Sequence, residues 1–176
     1  MQEFSFSTFP ELSTERLTLR QLTFDDVKPI FRLRSNKEIN ELITRETPKN
    51  LNEAEAFIDT CLNEFVNENR IFWGLELNST KQLIGSIALH RIDLENNFAE
   101  VGYEVNPDYQ DEGYMSEAMS KVLDFGITSM NLQKLEAFTH QNNTASIALL
   151  EKYLFVLQPE RKDENIEDNR IYKFGS

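Results

Sequence analysis

The chain has 176 residues, with 18 Lys and Arg against 30 Asp and Glu, a formal net charge of −12. Its 40% apolar content, including 13 Phe and 5 Tyr, suffices for a packed core and excludes a wholly disordered chain. The negative field repels phosphate backbones and anionic lipid, so neither nucleic acid nor a membrane surface is expected as a partner. The single cysteine, Cys61, permits no internal disulfide, and Cys61, His90 and His140 follow no ligand spacing, so no metal is expected. Met1–Phe4 carries neither a basic nor an apolar leader run, and no apolar run approaches the roughly 20 residues of a membrane span. A cytoplasmic protein is expected. No repeat or linker divides the sequence, so residues 1–176 are read as one domain.

In chain order, Glu15–Leu22 alternates apolar and polar residues and predicts a half-buried strand. Thr23, Asp25 and Asp26 open a short helix carrying Val27, Ile30 and Phe31, with the carboxylates at its positive end. Pro29 restricts itself to the first turns of that helix. Asn50 and Glu53 form a capping pair ahead of Leu51, Ala54, Phe57, Ile58, Cys61, Leu62 and Phe65, which recur at helical spacing. Cys61 sits on that apolar stripe and reads as buried filler. Arg70–Leu77 and Gln82–Ile92 are predicted strands joined by the turn Asn78–Lys81, and Phe98–Asn106 is a third. Gly113–Ser129 is helical, Leu132–Thr139 a strand, Asn143–Lys152 a short helix, and Phe155–Gln158 with Arg170–Phe174 a closing strand pair. This order predicts a mixed α/β fold, mostly antiparallel, with helices on both faces and a crossover that makes Phe98–Asn106 and Leu132–Thr139 parallel. Ligands of such sheets lie beyond the carboxyl ends of the parallel strands.

There, Glu100–Ala118 reads strand, turn, helix. A glycine-bearing turn at a helix start presents unpaired N–H groups at the positive end of a dipole, an anion site. Neither GxGxxG nor a P-loop occurs, and the chain has only 6 glycines, so dinucleotide-fold and P-loop readings fail.

Together with Leu12–Arg20 (LSTERLTLR) and Asn143–Phe155 (NTASIALLEKYLF), this segment resembles the GCN5-related N-acetyltransferases of the ribosomal-protein alanine acetyltransferase type. Those enzymes read TERLxLR, then GYELxPxYxxxGYMxEA, then NxxSxxLLEKxGF, and the match runs in order from about Leu12 to Phe155. The resemblance implies a sheet whose parallel pair splays to hold acetyl-CoA between Val105 and Leu135–Thr139. It implies that backbone near Tyr103–Val105 pairs with the pantetheine. The pyrophosphate is then expected on the turn Gln110, Asp111, Glu112, Gly113, Tyr114 and Met115, and the pantetheine arm on Asn143. The chemistry is attack of an amine on the thioester, which needs a base, oxyanion donors and an acid for the thiolate.

Glu100 is the first candidate base and Glu104 the second; by period two they share a strand face, roughly 13 Å apart. Ser146 is the candidate acid, with Tyr153 as a second. His90 and His140 are read as structural or exposed. The acceptor is expected to be an amine: a protein N-terminus, a polyamine or an aminoglycoside-like molecule, and a homodimer is possible, as among relatives. A non-catalytic acyl-CoA-binding protein is the competing reading. Two departures from the family pattern stand out. Asp111-Glu112 puts like charge where a pyrophosphate belongs, which is expected to weaken coenzyme A binding. Leu154 replaces a glycine, so a negative φ and an altered turn are expected there.

Overall fold

The computed structural model describes residues 4–175; Met1–Glu3, at the start of the segment read as lacking a leader, lie outside them. The strands are β1 (Leu12–Ser13), β2 (Leu17–Gln21), β3 (Arg70–Leu77), β4 (Leu83–Asp93), β5 (Phe98–Val105), β6 (Lys134–His140), β7 (Val156–Leu157) and β8 (Asn169–Phe174). The helices are α1 (Val27–Arg34), α2 (Lys37–Asn40), α3 (Leu51–Val66), α4 (Tyr114–Thr128) and α5 (Thr144–Lys152). All strands join one sheet in the order β1-β2-β3-β4-β5-β6-β8-β7. Every pairing is antiparallel except β5 with β6, as the crossover through α4 requires.

The two sheet faces bury different sets. On one, Leu17, Leu19, Ile71, Trp73, Ile87, Leu89, Ala99 and Val101 pack against Ala118, Met119 and Val122 of α4 and Leu150 of α5. On the other, Leu22, Phe72 and Ala88 meet Ile30 of α1 and Ala54, Ile58 and Cys61 of α3. Cys61 is 4% exposed, and burial pushes its thiol up to about 11, so it fills space rather than attacks. β1 and α2 escape the sequence reading because elements this short carry no period.

Caps confirm the helix starts and refine one of them. The Asn50 side chain accepts from the Glu53 N–H at 3.0 Å, but the Glu53 carboxylate reaches back to the Lys49 N–H rather than to Asn50. Pro29 sits in the first turn of α1, after the 3-10 turn Phe24–Asp26. The expectation for Leu154 is overturned. Its φ is +65°, because α5 ends in a Schellman motif: the Leu154 N–H bonds to Glu151 O and the Phe155 N–H to Leu150 O. The glycine-type turn is kept, with leucine strained into it.

Candidate active site

β5 and β6 pair only over Phe98–Glu100 and Lys134–Glu136. Beyond that point no ladder joins them, although both strands continue, to Val105 and to His140. Each arm is held from behind: β4 pairs with β5 out to Val105, and β8 pairs with β6 out to His140. The gap therefore exposes strand edges whose inward backbone groups lack a strand partner, as an extended ligand requires.

At the mouth of this gap lies the turn before α4. Gly113 caps the helix at φ +84°, and the N–H groups of Gly113, Tyr114 and Met115 have no protein acceptor among the described residues. These are the donors that the sequence reading placed at the anion site. Asp111, at φ +60°, and Glu112 are both exposed on the same turn. Two cations that the sequence reading did not name lie at this end of α4, Arg16 at the turn itself and Lys152 at the first helical turn. The Arg16 guanidinium donates to Glu112 O at 3.1 Å and lies 4.2 Å over the Tyr114 ring. Lys152, at the end of α5, donates to the Ser116 hydroxyl at 2.6 Å. A groove of about 670 Å³ opens here, lined by Gly113, Ser116, Lys121 and Lys152 and also by the carboxylates of Glu117 and Asp124. The donor set fits a diphosphate: free N–H groups with two lysines close by, while the Arg16 guanidinium is paired with Glu117.

The gap's flanks differ in chemistry. On the α4–α5 face, Tyr103 of β5 and Ser146 of α5 share a hydroxyl–hydroxyl bond of 2.7 Å. Burial pushes the Tyr103 phenol up to about 12, so it keeps its proton at neutral pH. Asn143 caps α5, accepting from the Ser146 N–H at 3.1 Å through Oδ1, which fixes Ser146 in the first turn. Tyr153 is committed elsewhere, its hydroxyl donating to Ser116 O at 2.6 Å.

On the opposite face stand Glu100 and Glu104 of β5, with Gly102 between them, and Glu136 of β6, all three carboxylates buried. Glu136 faces Glu100 across the last rung of the parallel ladder and is a third acid that the sequence reading did not single out. Each has an arginine: Arg91 to Glu100 at 2.7 Å, Arg45 to Glu104, and Arg161 to Glu136 at 2.5 and 3.1 Å. Burial raises the Glu100 carboxyl, opposed by Arg91 and reinforced by Glu136. Burial likewise raises Glu104, opposed by Arg45 and Arg34. His90 approaches Glu100 at 3.6 Å, yet burial, with Arg70 and Arg91 nearby, pushes its imidazole down to about 4. It is neutral near pH 7. His140 accepts from the Asn142 N–H through Nδ1, shaping the loop before α5. Glu100 and Ser146 thus do not meet; they flank the gap from opposite faces.

Among the described residues, an opened parallel pair with a helix N-terminus at its mouth leaves strand edges and free N–H groups unpartnered along one side of the sheet. The acetyltransferase (GNAT) domain model matches residues 16–156. The chain is 36% identical over 147 residues to the uncharacterized N-acetyltransferase YoaA of Bacillus subtilis, covering 84% of this chain and 83% of that one. It is 27% identical over 141 residues to a spermidine N(1)-acetyltransferase of Vibrio cholerae, covering 80% and 79%. The fold superposes on the ribosomal-protein-S5-alanine acetyltransferase of Vibrio fischeri with a TM-score of 0.80 at 16% identity, over 93% of this chain and 95% of that one. The chain belongs to the acetyltransferase (GNAT) domain family.

Proposed function

We propose that the protein acetylates the α-amino group of a protein N-terminus, with acetyl-CoA as donor. The observation that carries this reading is the pair of unladdered arms, Val101–Val105 and Ala137–His140, leading from the free N–H groups of the turn toward Glu100. Bound there, acetyl-CoA supplies an activated acyl group whose carbonyl accepts an amine.

The chain's own groups divide the work between the two faces. Inward N–H groups of β5 hold the carbonyl oxygen as it gains charge. Gly102 lies at mid-strand on the acceptor face with the His90 ring packed against it, flanked by Glu100 and Glu104 at roughly 7 Å on either side. Glu100, raised by burial, takes the ammonium proton directly or through water. Ser146, backed by the Tyr103 hydroxyl, returns a proton to the thiolate from the other face. Val105, Gln110–Met115 and Asn143 bind the cofactor, with Arg16 and Lys152 added to them.

A spermidine-like acceptor is the second reading, supported by the Vibrio cholerae relative and by the charge of −12. The test is a thermal shift with acetyl-CoA, then thiol release with a panel of N-terminal peptides, polyamines and aminoglycosides. Release with peptides alone is the expected result. Release with spermidine alone moves the acceptor to polyamines, and a shift without release from any amine leaves a binding protein.

A further inference from the structure

Across the acceptor face, carboxylates and arginines come in pairs: Glu100 with Arg91, Glu104 with Arg45, Glu136 with Arg161, and Glu64 of α3 with Arg70. Arg34, in the last turn of α1, breaks this pattern. Among the described residues it has no carboxylate within salt-bridge distance, and its guanidinium donates no hydrogen bond. It lies instead 3.7 Å over the ring of Phe57, which packs edge-on against Phe72 of β3. The charges near it include Arg45, Arg70 and Glu104, and the Glu104 carboxylate is already paired with Arg45. Arg45 is fully occupied: it pairs with Glu104, donates to Asn40 Oδ1 at 3.0 Å and reaches Leu33 O.

A half-buried guanidinium normally finds an anion, because its desolvation is otherwise uncompensated. The helix C-terminus does not account for it, since the exposed Arg32 already places a cation there. The contact with the Phe57 ring holds the guanidinium in place through its face without engaging its N–H donors, which remain able to receive a carboxylate or a phosphate. The position is on the acceptor side of the sheet, the face away from α4, α5 and the diphosphate turn.

From this arrangement we propose that Arg34 is a specificity residue that receives an anionic group carried close to the amine being acetylated. The inference rests on the acetyltransfer reading above and deepens it: the acceptor is an acidic N-terminus, and a polycation is the wrong partner for this guanidinium. Carboxylate and phosphate share the required chemistry, and the test separates them.

Three peptides with the same N-terminal residue carry glutamine, glutamate or phosphoserine at the second and third positions. Wild-type kcat/KM is expected to be at least tenfold higher for an anionic peptide than for the glutamine peptide, with the better anion identifying the group. Arg34→Gln is expected to collapse this ratio toward one, Arg34→Lys to restore part of it, and Arg32→Gln to keep it. Binding of the N-acetylated products, followed by calorimetry, supplies a readout independent of turnover. If no peptide is acetylated but the acidic product binds more tightly and Arg34→Gln abolishes that preference, the acetyltransfer reading fails and the anion site stands. Equal kcat/KM and equal binding for neutral and acidic peptides in the wild type, or an unchanged preference in Arg34→Gln, overturns the proposal.

Discussion

Arg16 and Glu117, 101 residues apart in sequence, are joined twice: the Arg16 backbone N–H and its Nε each donate to the Glu117 carboxylate at 2.8 Å. The Thr14 hydroxyl donates to the same carboxylate. The contact locks the segment before β2 onto the first turn of α4 and positions the Arg16 guanidinium over Tyr114 at the start of that helix. Glu117→Ala removes the acceptor for three donors. It is expected to lower stability by about 1–2 kcal/mol in urea denaturation, a modest figure because the pair is partly solvated. Acetyl-CoA affinity should fall as well, since Arg16 loses its anchor; unchanged affinity by calorimetry would detach Arg16 from the cofactor.

Glu100→Gln keeps size and burial but removes the base. A drop in kcat of roughly 100-fold is expected, with acetyl-CoA affinity little changed. Because burial raises the Glu100 carboxyl, the acid limb of kcat/KM should lie above the ordinary carboxylate range. Arg91→Gln removes the opposing positive charge and should move that limb further up. Full activity in Glu100→Gln transfers the role to Glu104 or to solvent.

His90 gives a pH dependence of stability with a defined sign. Its folded value, about 4, lies below the value of about 6.5 for an unfolded histidine. Above about pH 6.5 both states are neutral and His90 contributes no slope. Between about 6.5 and 4 the unfolded chain takes up a proton that the folded chain, with Arg70 and Arg91 facing the ring, refuses, so stability falls. His90→Gln should therefore show a smaller drop in Tm between pH 7 and pH 4.5 than the wild type.

Leu154 is 74% exposed and sits at φ +65°. Leu154→Gly gives up little burial and relieves the left-handed strain, so a stabilisation of about 1 kcal/mol is expected. The urea midpoint should rise with an unchanged m-value, and a fall would show that the leucine side chain contributes more by packing than the backbone loses by strain.

Local signals were legible along most of the chain. The alternation of Glu15–Leu22 and Arg70–Leu77, the Asn50 and Asn143 caps, and the stripe of α3 each repeat over distances that the backbone geometry itself sets. Leu154 shows the limit of such reasoning: side-chain preference argued for a negative φ, but two Schellman hydrogen bonds and the Phe155–Leu150 packing behind them outweigh the strain of one residue.

The acidic balance of the composition, 30 carboxylates against 18 cations, was a property of the sequence alone, as were the parallel strand pair and the glycine-bearing turn at the helix start between its strands. How that charge is used was decided by the tertiary structure. Arg16 reaches the turn that carries Asp111 and Glu112, Lys152 reaches Ser116 in the first turn of α4, Arg45 comes from an irregular loop to cover Glu104, and Glu136 meets Glu100 only because β6 pairs with β5. Each of these meetings joins residues whose separation matches no helical or strand period. Their positions follow from how the sheet closes and where the loops are packed, and the charges settle into place once that packing exists.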